Sequence, residues 1–250
     1  MVSVPFKMIA QTIKQHRKML AVAFFLMASL EVFSGSFFKL SPDLTMADAM
    51  GPALGGVVTT YVSWFVTLIS IAVLGKSELR RSGIEISRSA LGYAFVKSMS
   101  IWLVFVLMLS YVVTASTKLF VGLDSKESMI ALLVLLSLIT YLSLPYAIGA
   151  YQQILGNRLW VLLSGKKSPN RTSWYLVPIK AFAVFAKAPS VMVVLLLVVG
   201  IKLLQGMFGS PLTNALLGPL SYLIFVVIVV ACSGAVASQV TAKNIEDSSI

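Results

Sequence analysis

"AVAFFLMASLEVFSGSF", residues 21–37, is an apolar run with one acid, Glu31, set inside it. Whether a chain tolerates a carboxylate there depends on the solvent around the segment, and so on the rest of the sequence. Of 250 residues, 58% are hydrophobic and 12% charged, and the mean hydropathy is +0.92. A soluble domain carries about 25% charged residues. Half that share, combined with apolar runs of about 18 residues or more, points to an integral membrane protein built as a single membrane domain.

Six segments are long enough to cross about 30 Å of hydrocarbon at about 1.5 Å per residue. They lie near 18–38, 54–75, 93–115, 128–150, 189–207 and 216–239, followed by a tail over 240–250. The first holds Glu31 and the fifth Lys202; the others have no charge in their interiors. The amino terminus, "MVSVPFKMIAQTIKQHRKML", has a long, partly apolar basic region and no evident small-residue cleavage site, so it is expected to be retained.

The cations set the orientation. Sixteen of the 20 Lys and Arg residues fall on the side shared by the amino terminus and the connections after spans two and four. Only Lys39, Lys118 and Lys126 fall on the other side, and Lys202 lies within a span. Both termini are therefore expected to face the cytoplasm, and the short loops suit a bacterial inner membrane. The net charge of +11 is explained by topology, so nucleic acid is not an expected partner. The sequon "NRT" at Asn170 falls on the cytoplasmic side, where no glycan is expected.

Three segments on that side alternate apolar and basic residues. Residues 1–17 place Val4, Met8, Ile9 and Ile13 roughly along one helical face. "ELRRSGIEISRSALGYAFVKS", residues 78–98, sets Leu79, Ile84, Ile86, Leu91 and Phe95 among Arg80, Arg81, Arg88 and Lys97. "RTSWYLVPIKAFAVFAKAPS", residues 171–190, mixes Trp174, Phe182 and Phe185 with Arg171, Lys180 and Lys187. Each reads as an amphipathic helix in the headgroup layer, its cations toward anionic lipid. Arg80, Arg81, Arg88, Lys97, Lys180 and Lys187 are thus candidate contacts for lipid or a partner protein. The chain then reads as all-α: six transmembrane helices with three interfacial helices, a pattern open to reading as three helix-hairpin pseudo-repeats.

Glu31 lies 13 residues from Lys18, and Lys202 lies 13 from Pro189. Both spans start on the cytoplasmic side, so both charges stand about 20 Å in. Glu31 and Lys202 are a candidate intramembrane ion pair, because isolated intramembrane charges cost about 2.5–3.5 kcal/mol and find partners. Separate snorkelling to water, and a transport role for Glu31, remain open alternatives. Pro145 removes a backbone donor within span four and is a candidate kink. Gln152 and Gln153 are expected to be solvated at that span's inner end.

The chain has one cysteine, Cys232, one histidine, His16, and nine acids. It has no P-loop, no HExxH, no CxxC and no GxSxG. No catalytic residue, metal site or cofactor is expected, and the chain is not expected to be an enzyme.

The six-span layout, the amphipathic amino-terminal segment and the charged connector "LGKSELRRSGIEISRSALGYAFVKS", residues 74–98, resemble a half of an ABC-2-type permease and its cytoplasmic coupling segment. The connector over 151–188 is longer than that pattern implies. The resemblance implies a subunit of a transport or export system that works with a separate ATPase. The alternative is a non-catalytic membrane scaffold or assembly factor that binds partner proteins and lipid. In layout the chain also resembles bacterial six-span families with an amphipathic segment before each hairpin.

Overall fold

The computed structural model describes residues 6–37, 46–117, 125–168, 196–201, 204 and 210–248. Within them the chain is all-α, with no strand. Five long helices follow one another: α1 (Phe6–Phe37), α2 (Met46–Arg81), α3 (Arg88–Thr117), α4 (Ser125–Ser164) and α5 (Pro211–Ser248). Residues 196–201 are also helical. With 30 residues in the shortest and 40 in the longest, each exceeds the about 20 residues needed to cross hydrocarbon.

Two stretches, Tyr61–Arg81 and Leu212–Asp247, are long and apolar enough to cross a membrane. No other described stretch meets that measure, so on this count the expected six spans stand at two. The segments expected near 54–75, 93–115, 128–150 and 216–239 each fall within one helix, and the first, 18–38, follows α1 to its last residue, Phe37. Of 189–207, residues 196–201 and 204 are described, as helix.

α5 is the central element, packed against α1, α2 and α4, while α3 closes the bundle against α2 and α4. The reason is compositional. Residues 225–237 of α5 are apolar or small on every side and all are buried; a helix without a polar face belongs in a core. Small residues bring neighbours close. A Cβ on Gly75 of α2 would stand 2.7 Å from Leu91 Cδ2 and 3.4 Å from Ser233 Oγ, so glycine is what fits where α2, α3 and α5 meet.

The basic connector is a built turn. Gly83, at φ 76°, ends α2. Ile84 N–H donates to the Leu79 carbonyl and Gly83 N–H to the Arg80 carbonyl, each at 3.0 Å. That pair of bonds, with Ile84 and Leu79 both buried, is the Schellman arrangement for satisfying terminal carbonyls. Four residues on, the Ser87 hydroxyl accepts from Ala90 N–H at 3.2 Å and caps α3.

These features correct two expectations. Residues 78–98 do not form one interfacial helix: they are a helix end, a turn and a helix start. Leu79, Ile84, Ile86, Leu91 and Phe95 are buried in the protein core instead of facing headgroups. Nor is the segment expected over 1–17 a separate interfacial helix in its described part, because α1 runs unbroken from Phe6 to Phe37. Nothing in "KQHRKML" interrupts a helix, and Ile9 and Met8 pack on the core. The third expected interfacial helix, 171–190, lies outside the described residues.

Candidate functional site

At the basic end of the bundle, three helices meet around one acid. Glu78 projects from the last turn of α2, and its side chain is only 11% exposed. His16 Nε2 on α1 lies 2.9 Å from Glu78 Oε1. In the tautomer with its hydrogen on Nε2, the ring donates and the carboxylate oxygen accepts. Arg81, one turn beyond Glu78, donates from Nη1 to Glu78 Oε2 at 3.3 Å. The same Arg81 nitrogen also bonds Gln15 Oε1 on α1. From the third side, α5 offers a glycine: a Cβ at Gly234 would stand 3.6 Å from Glu78 Oε2.

Glu78 therefore neutralises Arg81, holds the ring of the only histidine in the chain, and ties α1 to α2 beside α5. Sequence reasoning passed over it. A lone acid between Lys76 and Arg80 in a strongly basic segment was the available signal.

Deeper in the bundle, α4 and α5 share buried polar groups. The Tyr151 and Ser233 hydroxyls lie 2.8 Å apart, and Ser233 also donates to the Val229 carbonyl at 3.2 Å. Gln152 Nε2 lies 3.3 Å from the Cys232 sulfur, while Gln152 Oε1 is buried with no hydrogen-bond partner among the described residues. Gln152 is thus a core residue, and the expectation that it is solvated is wrong. It sits on the face of α4 turned to α5.

The other expected residues distribute as follows. Glu31 is half-buried on α1, within electrostatic reach of the Tyr222 hydroxyl on α5. Lys202 lies outside the described residues, and with it the Glu31–Lys202 pair. Pro145 is buried inside α4, which continues through it. Arg80, Arg81, Arg88 and Lys97 are exposed at the basic end. Arg81 belongs to the Glu78 cluster, and Lys97 Nζ stands 5.8 Å from the Tyr93 ring centroid. Lys180 and Lys187 lie outside the described residues.

Among the described residues, no group of three His, Cys, Asp or Glu side chains could hold a metal ion. What the basic end offers is a charged surface on a packed base. Arg80, Glu85 and Arg88 project from a turn whose apolar residues are fixed in the core. Compared with protein families, with curated proteins and with solved structures, the chain matches none.

Proposed function

We propose that this chain is a permease-like, membrane-embedded subunit of a transport or export system, driven by a separate ATPase subunit. The observation that carries the reading is the braced connector between α2 and α3. A coupling element must transmit a push, so it has to be exposed at its tip and rigid at its root. Arg80, Glu85 and Arg88 provide the exposed tip. The Gly83 turn, the Ser87 cap and the buried Leu79, Ile84, Ile86 and Leu91 provide the root. A partner that engages the tip would move α2 and α3 as bodies.

Membrane embedding is supported by the outward faces. Phe25 is 68% exposed, Phe65 61% and Met108 67%, on three different helices. In water that surface would be a large sticky patch; in lipid it is the expected exterior. We read α1 to α5 as five of six spans, with the remaining one over 189–207. In this reading the basic end faces the cytoplasm of a bacterial inner membrane, an orientation that the charge asymmetry supports.

A scaffold role is the second reading, favoured by the close packing of α5, whose residues 225–237 are all buried and almost all apolar or small. A photo-crosslinking residue at Glu85 separates the two. Crosslinking in native membranes to a nucleotide-binding subunit, with recovery of that subunit at a fixed ratio, supports the permease. Crosslinks only to proteins without a nucleotide site would overturn it in favour of a scaffold.

A further inference from the structure

A groove with a volume of about 420 Å³ lies between α2 and α3. Tyr61, Trp64 and Phe65 wall it from α2, and Val96, Ser100 and Leu103 from α3. Its size falls within the range of small-ligand sites. It opens on the apolar exterior, since Tyr61, Phe65 and Leu103 are all more than half exposed. Whatever enters from that side is hydrocarbon.

The charge next to the groove narrows the choice. Tyr93, Lys97 and Ser100 follow one another along one face of α3 at helical spacing, so Lys97 stands one turn from Ser100, level with the end of the groove nearest the basic end. Arg158 of α4 reaches the same place, its guanidinium carbon 4.2 Å from the Tyr93 ring centroid. Lys97 Nζ lies 5.8 Å from that centroid. The two cations are therefore at most about 10 Å apart. Neither has a carboxylate within ion-pair distance among the described residues. From Lys97 to Leu103 the helix rises about 9 Å, so an anionic head at Lys97 would send its tail along the groove.

The geometry points to a specific site for one anionic phospholipid of the inner leaflet, with its phosphate between Lys97 and Arg158 and an acyl chain against Trp64 and Phe65. This rests on the membrane-embedded reading above. A neutral lipid would fill the groove but leave both cations unpaired. With each of the two cations near an anionic surface contributing about 1 kcal/mol, the preference for an anionic over a zwitterionic lipid should be roughly thirtyfold.

Two of the four tryptophans, Trp64 and Trp102, line the groove, which supplies the readout. The full chain, with Trp160→Phe and Trp174→Phe, is reconstituted into phosphatidylcholine vesicles containing either brominated phosphatidylglycerol or brominated phosphatidylcholine. The site predicts that the brominated phosphatidylglycerol quenches at roughly thirtyfold lower mole fraction. Lys97→Gln with Arg158→Gln should abolish the difference; Lys97→Gln alone, at an exposed position, should reduce it and serves where the double variant does not fold. Equal quenching by the two lipids, or a preference that survives both substitutions, would overturn the site and leave the membrane reading standing. No quenching by either lipid would overturn both.

Discussion

His16 and Glu78, 62 positions apart in the chain, approach to 2.9 Å where α1, α2 and α5 converge. The carboxylate has two donors and the histidine one acceptor, so the members of the cluster are unequal. Glu78→Gln strips the counter-charge from Arg81 and weakens the hold on His16. It should cost about 1–3 kcal/mol. His16→Gln should cost less, because Arg81 still satisfies Glu78. A double-mutant cycle in detergent unfolding should show a coupling of about 0.5–3 kcal/mol. Additive losses would mean that the contact contributes nothing of its own.

Gly75 and Gly156 both sit in helix interiors but should respond oppositely to alanine. A Cβ at 75 meets the fully buried Leu91 at 2.7 Å, whereas at 156 the nearest atom is Val236 Cγ1 at 3.5 Å, an ordinary contact. Gly156→Ala should be neutral or stabilise by up to about 1 kcal/mol through helix propensity. Gly75→Ala should lose about 1–3 kcal/mol to overpacking, less that same gain. Thermal unfolding of the two variants side by side checks the sign of each.

The Tyr151–Ser233 contact is also asymmetric. Tyr151→Phe leaves the Ser233 hydroxyl bonded to the Val229 carbonyl and should cost about 1 kcal/mol. Ser233→Ala leaves the phenol of Tyr151, a fully buried residue, with no other partner among the described residues, and should cost more, toward about 3 kcal/mol. Unfolding midpoints in a denaturing-detergent titration should rank them in that order; the reverse order would mean that Tyr151 finds another acceptor.

Gly83 tests the brace of the connector. No atom of the described residues lies within 4 Å of a Cβ there, so the cost expected of Gly83→Ala is that of its positive φ. We expect a loss of about 1 kcal/mol, and a smaller one for Gly83→Asn, a residue that tolerates this conformation. Equal stability of all three forms would show that the turn does not hold α2 against α3.

The helices were legible because long apolar runs have few other folds open to them. Spans placed near 54–75, 93–115, 128–150 and 216–239 all fall within single helices. The connectors were misread because apolar-basic alternation has two meanings. Leu79, Ile84, Ile86 and Leu91 look the same on paper whether they face headgroups or plug the end of a bundle. The signal that separates the two was local: Gly83 two residues after Arg81, and Ser87 ahead of α3, are stop and start marks. Glu78 was hidden for a different reason. Its partner His16 is distant in sequence, and only the packing of α1 on α2 brings the two together. Gln152 was misplaced because sequence alone does not say which face of α4 meets α5.

The central claim is that this bundle crosses a membrane with its basic end inside. Glu85 and Asn214 are exposed at opposite ends of the bundle, and the chain's only cysteine, Cys232, is fully buried. Single variants Glu85→Cys and Asn214→Cys would be treated with a membrane-impermeant maleimide, first in intact cells and then after permeabilisation. The account predicts that the Asn214 variant labels in intact cells, that the Glu85 variant labels only once the membrane is opened, and that the unmodified chain stays unlabelled until it is denatured. Labelling of both variants from the same side would contradict it.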